Sequence, residues 1–203
     1  FLKNPGDTAN YIFNALGFLP INVLLVTIVL NKLLAIRAKR ERMEKMNMVI
    51  GTFFSEIGNQ LIREIAPGDP DIGRIQNSLI MGTAPGAGAF AEARERIGSH
   101  ACAAEASAAE LVRLRELLSS QRDFMLRLLE NPVLLEHESF TDLLRAVFHL
   151  SEELKRRTDP GSLPGTDHAH LTGDIRRVYG KLVIQWLDYM EYLQNNYPYL
   201  YSL

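Results

Sequence analysis

The chain has 203 residues, a formal net charge of −2 and a mean hydropathy of −0.04, which suffices for one packed domain plus a membrane segment. Its single cysteine, Cys102, excludes an internal disulfide framework and any multi-cysteine zinc or iron–sulfur site, and agrees with a reducing compartment. These averages conceal an asymmetry, because a long apolar run lies in the first third and the remainder is rich in Leu, Ala, Glu and Arg. A start at Phe1 rather than Met is expected of a fragment.

Residues 1–10 precede the apolar run. Residues 11–34, YIFNALGFLPINVLLVTIVLNKLL, carry no charge before Lys32. About 20 apolar residues in helical form cross a hydrocarbon core of about 30 Å, so a transmembrane helix is predicted over 11–34. A cleaved signal peptide would place its charges ahead of a shorter apolar core. Here only Lys3 lies ahead, while Lys32, Arg37, Lys39, Arg40, Arg42 and Lys45 lie behind. The positive-inside rule then puts residues 1–10 outside and the C-terminal part in the cytoplasm, in the plasma (inner) membrane of the cell. Asn14 and Asn22 are costly against lipid and are expected to face protein or a wet cavity, and Pro20 removes one backbone hydrogen bond. Two uses of these three residues stand open: a helix–helix contact or the lining of a pore.

The basic residues Lys32, Arg37, Lys39, Arg40 and Arg42 suit anionic lipid headgroups. No aromatic stacking platform is interleaved with them, which argues against nucleic acid as a partner. No Gly or Pro interrupts residues 35–50, so the membrane helix is expected to continue as a juxtamembrane helix over 35–65. Met46, Ile50, Phe53, Ile57 and Leu61 recur at three or four residues and form one apolar face. Gly51, Ser55 and Gly58 place small residues beside it. Ile50, Gly51, Phe53, Ile57 and Gly58 are therefore expected to form an oligomer seam.

Residues 66–88 are rich in Gly and Pro and are predicted to be a linker, with a short helix within 72–81. Gly86, Gly88 and Ala91 match G-x-G-x-x-A, but no strand or βαβ unit surrounds them, so a dinucleotide site is not expected. Residues 89–203 are predicted to be an antiparallel helical bundle. Its first helical stretch runs from about Ala89 to about Glu130 with an interruption near 98–101. Leu111, Leu114, Leu118, Met125 and Leu128 line one side of it, with Gln121 in the missing position. Ser139 and Asp142 resemble a capping box for the next helix, which buries Phe140, Leu143, Leu144, Val147, Phe148 and Leu154. Thr166 or Asp167 is expected to cap the last helix, whose apolar stripe is Ile175, Tyr179, Leu182, Trp186, Met190 and Leu193. The fold class is all-α, a single transmembrane helix continuing into a cytoplasmic bundle.

No nucleophile–base motif, H-E-x-x-H or P-loop is present, so no catalytic residue, no cofactor and no enzymatic activity are expected. His168 and His170 form H-x-H, and His170 lies one helical turn before Asp174. These three are the best metal candidates, with His149 and Glu152 or Glu153 a second such pair. The repeated Glu-x-x-His of carboxylate-bridged bundles is absent. Tyr189, Tyr192, Tyr197, Tyr199 and Tyr201, with Trp186, fit either an interaction surface or packing at the bundle end.

The segments NPVLLEHESFTDLLRAVFHLSEEL and HLTGDIRRVYGKLVIQWLDYMEYLQNNYPYLYSL resemble parts of uncharacterised prokaryotic membrane proteins. That resemblance implies membrane placement and a prokaryotic source, and brings no activity or site. The leading expectation is a self-associating, membrane-anchored helical scaffold, sensor or regulatory interaction module that forms a homo-oligomer and can bind a further protein. The alternatives are a subunit of an oligomeric channel or transporter and, third, a metal- or small-molecule-binding enzyme.

Overall fold

The apolar run and the charged, Gly- and Pro-free stretch after it favour one long helix, and that is what forms over Pro5–Phe53. The computed structural model describes residues 5–70, 88–99, 104–135, 137–159 and 162–202. They are predominantly helical with no strand among them, and they belong to two compact units, Phe1–Glu44 and Lys45–Leu203. Most of the Gly/Pro-rich linker, including the short helix expected over 72–81 and Gly86, lies outside the described residues, as does Cys102.

Helix α1, Pro5–Phe53, is 49 residues long and passes through Pro20 without a break in its assignment. In the first unit Thr27 Oγ1 donates to the Val23 carbonyl at 2.7 Å, which satisfies a hydroxyl within an otherwise apolar stretch. Arg37–Glu41 and Arg40–Glu44 are paired one turn apart at 3.0 and 3.1 Å. Such pairs add a few tenths of a kcal/mol each.

The second unit begins with the last turns of α1. Its apolar face continues through a π-helical segment, Phe54–Gly58, and then α2, Asn59–Ile65. Neighbours in an α-helix point about 100° apart, yet Phe53 and Phe54 are both buried, as are Ile57, Leu61 and Ile65. Gly58 makes this possible: a Cβ there would stand 2.6 Å from the Phe54 ring and 2.9 Å from that of Phe53. The two rings meet edge to face, Phe53 meets Phe140 the same way, and Phe54 stacks on Tyr189.

The expected oligomer seam is thus corrected. Ile50, Gly51, Phe53, Ile57 and Gly58 are buried within this chain's own second unit. A Cβ on Gly51 would fall 2.5 Å from Tyr189 Oη. The periodic face is real, but its cover is intramolecular.

A 3₁₀ turn, Ala66–Gly68, follows. The Glu105 amide donates to the Gly68 carbonyl at 3.1 Å, and a Cβ on Gly68 would lie 2.1 Å from the Glu105 carbonyl oxygen. The remaining helices are α3 (Ala89–Ser99), α4 (Ala108–Ser120), α5 (Arg122–Leu129), α6 (Pro132–Leu135), α7 (Glu138–Arg156), α8 (Gly165–Asn196) and the short α9 (Pro198–Tyr201). Helix α8 is the spine, packed by α7, α3, α9 and α2. Leu111, Leu114, Leu118, Met125 and Leu128 are all buried. Gln121, the polar exception in that seam, is where α4 gives way to α5.

The caps differ from expectation in two places. Helix α7 is opened by His137, whose Nδ1 accepts from the Phe140 amide at 3.1 Å, in place of a Ser139–Asp142 box. Helix α8 begins after Pro164 with no side-chain cap from Thr166 or Asp167, since both lie inside it. The capping box that does form is Ser107 with Glu110 at the start of α4. A smaller cluster of Phe90, Ala93 and Leu187 seats α3 on α8, and Arg94 adds ion pairs to Asp188 and Glu191.

Candidate functional site

Helices α7 and α8 carry the same short pattern, His-Leu-Ser/Thr-x-acid, as HLSEE over 149–153 and HLTGD over 170–174. In both, the leucine and the hydroxyl residue are buried: Leu150 with Ser151, and Leu171 with Thr172. One helical turn separates each histidine from its acid, so the pairs lie on one face of their helices. Packing of α7 on α8 brings His149, His170 and Asp174 together, with one donor atom from each within 4.8 Å of the others.

Asp174 is the centre of this cluster. Its side chain is only 4% exposed, and Oδ2 accepts no hydrogen bond. Nε2 of His149 and Nε2 of His170 each stand 3.5 Å from that oxygen. The other oxygen, Oδ1, pairs with Arg177 at 3.2 Å. Both histidine side chains are about half exposed, at 50% and 54%, so the cluster is buried on the Asp174 side and open to solvent on the other.

Glu153 flanks the group, with Oε2 at 3.8 Å from His170 Nε2. That oxygen already accepts from Arg157 Nη1 at 2.9 Å. The Arg157 hydrogen bond holds the Glu153 carboxyl below its ordinary range in spite of the opposing effect of burial, so it is a firm anion at neutral pH. Arg157 is tied further by the Glu153 carbonyl at 2.6 Å and by Asp167 at 3.5 Å.

Of the predicted set His168, His170 and Asp174, two come together in the structure and one does not. His170 and Asp174 do meet, but His168 does not join them. Its Nε2 is 3.0 Å from the Ala106 carbonyl, to which it donates. Arg176 Nε donates likewise to the Ala104 carbonyl at 3.0 Å, so both side chains pin the segment before α4 onto α8. His149 takes the vacated place. The repeated pentapeptide was its signal in the sequence.

The other predicted residues lie elsewhere. Asn14, Pro20 and Asn22 are exposed on α1 in the first unit, as are Lys32, Arg37, Lys39, Arg40 and Arg42. Around them the apolar side chains are uncovered as well: Tyr11 is 75% exposed, Phe13 79%, Leu24 63% and Leu34 63%. Of the C-terminal aromatics, Tyr189 is packed on Phe54, Tyr201 meets Phe90 and Tyr192 meets Tyr197, whereas Tyr199 is exposed.

An all-α chain with a helical bundle and an interhelical His–Asp cluster is the class that these features define. Residues 42–203 match the family described as "Uncharacterized protein MJ1433, C-terminal helical domain", and residues 1–34 match "MJ1433, N-terminal helical domain". The chain belongs to this family. It is similar to "Uncharacterized protein MJ1433" of Methanocaldococcus jannaschii, with 45% identity over 194 residues, covering 96% of this chain and 78% of that protein. No solved structure matches it. The archaeal relative agrees with the prokaryotic part of the resemblance read from the sequence.

Proposed function

We propose that the protein is a membrane-anchored, non-catalytic helical module, with its second unit acting in the cytoplasm as a regulatory or interaction domain. One observation carries this reading. The most apolar 18-residue window of α1 has a mean hydropathy of 2.2, and none of it is buried within the chain. Each large apolar side chain gains about 1.5–3 kcal/mol on leaving water. Summed over residues 11–34, exposure to water would cost tens of kcal/mol, against a net domain stability of about 5–15 kcal/mol. A bilayer removes that cost with one helix, because every backbone group in the span is satisfied internally.

The basic residues from Lys32 to Lys45 support an orientation with the second unit in the cytoplasm and contact with anionic headgroups. Asn14 and Asn22 support self-association, now through the span, since an amide in lipid is better paired with a neighbouring helix. Alkaline carbonate extraction of membranes from expressing cells tests the anchor. The full chain stays in the pellet, and a chain lacking residues 1–34 is released. Release of the full chain by carbonate removes the proposal.

A further inference from the structure

We propose that His149, His170 and Asp174 form a binding site for one borderline divalent transition-metal cation, represented by Zn²⁺, that cross-links α7 to α8. The inference is independent of membrane anchoring. It begins with Asp174, a carboxylate with a 4% exposed side chain whose Oδ2 accepts no hydrogen bond. Burying an anion without such partners is costly. The groups nearest Oδ2 are two imidazole nitrogens at 3.5 Å, beyond the usual 2.7–3.2 Å range for an N–H···O bond.

That spacing suits ligands of a common ion. Zinc bonds to His nitrogen and carboxylate oxygen are about 2.0–2.2 Å, which puts two donors of a tetrahedral shell about 3.3–3.5 Å apart. Both Nε2–Oδ2 separations, at 3.5 Å, fall at the top of that span. The three donors come from adjacent helices, with His170 and Asp174 one turn apart on α8 and His149 opposite on α7.

The surroundings support the same assignment. Arg177 holds Oδ1, the oxygen that a monodentate ligand leaves over. Glu153 is engaged by Arg157, so it supplies negative charge beside the site without being needed as a ligand. Two imidazoles and one carboxylate favour zinc or a similar transition ion over Mg²⁺ or Ca²⁺, which take oxygen ligands. The half-exposed histidines leave the remaining coordination position to solvent.

The test uses the full chain in mild detergent, without an affinity tag and stripped with a chelator. Zn²⁺ is titrated by calorimetry, Co²⁺ by visible absorption, and Mg²⁺ serves as the control. The expected result is one equivalent of Zn²⁺ per chain, with d–d absorption from Co²⁺ and no Mg²⁺ binding. His149→Ala, His170→Ala and the isosteric Asp174→Asn each abolish that equivalent, while His168→Ala retains it. Zn²⁺ raises the Tm of the wild type and of His168→Ala, but not of the three ligand variants. Circular dichroism shows whether each variant is folded, and His149→Gln and His170→Gln replace any alanine variant that is not. The proposal is overturned if folded wild-type chain binds no stoichiometric Zn²⁺. It is equally overturned if folded variants lacking both His149 and His170 still bind it, or if His168→Ala removes binding as completely as His170→Ala.

Discussion

Two glycines show how single atoms decide the packing of the second unit. Alanine at Gly58 would gain about 1 kcal/mol of helix propensity. Its methyl would also press on the Phe53 and Phe54 rings, which are buried and cannot withdraw. Overpacking of that kind costs about 1–3 kcal/mol, so Gly58→Ala lowers the urea midpoint of unfolding, and an unchanged or higher midpoint contradicts the packing described. Gly68→Ala does the same by driving the Glu105 carbonyl away from its partner turn. Tyr189 adds a pH dependence. Burial raises its phenol above the ordinary value near 10. The folded state therefore holds this proton more tightly than the unfolded chain does. The corresponding stability is complete below the unfolded value and is lost as pH rises through the folded one. Denaturation midpoints between pH 9 and pH 11 fall more steeply for the wild type than for Tyr189→Phe.

At the scale of elements, α7 and α8 hold the core together. Phe140→Ala removes the ring that meets Phe53 and leaves a cavity, at a cost of about 3–5 kcal/mol. Thermal unfolding measures this directly. For α1, Leu24→Arg places a charge in the middle of the apolar run, at a cost of about 2.5–3.5 kcal/mol in a bilayer. It is expected to increase release by carbonate.

The elements themselves were largely legible, because Leu111, Leu114, Leu118, Met125 and Leu128 declare their helical period locally. Three features were not legible from such periods and caps. The π-helical turn departs from the period that reveals helices, so the apolar face read at three- and four-residue spacing held Phe53 and left out Phe54, which is buried as well. The α7 cap is a histidine, outside the usual Ser, Thr, Asp and Asn set. The apolar face from Ile50 to Ile57 announced burial but not its cover, since periodicity is silent on whether the same chain or another supplies the partner. The Ser107–Glu110 box, by contrast, carries the standard S-x-x-E signal of a helix start.

For the molecule as a whole, two of the three cluster residues were legible together, for a similar reason. His170 and Asp174 are neighbours in sequence, so their pairing followed from helical spacing. His149 arrives only through the packing of α7 on α8, and the H-x-H pattern pointed to His168, which spends its Nε2 on the Ala106 carbonyl. Membership of the MJ1433 family places 96% of the chain alongside an archaeal relative, and the two family domains match residues 1–34 and 42–203. The central claim concerns what that first helix is for. The most direct test replaces Cys102 with Ser and introduces one cysteine at Thr8 or at Met48, on either side of the apolar run. A membrane-impermeant maleimide is then added to intact cells and to lysed cells. The account predicts that Thr8→Cys reacts in intact cells and that Met48→Cys reacts only after lysis. Protection of both positions in intact cells, or labelling of Met48→Cys before lysis, would contradict it.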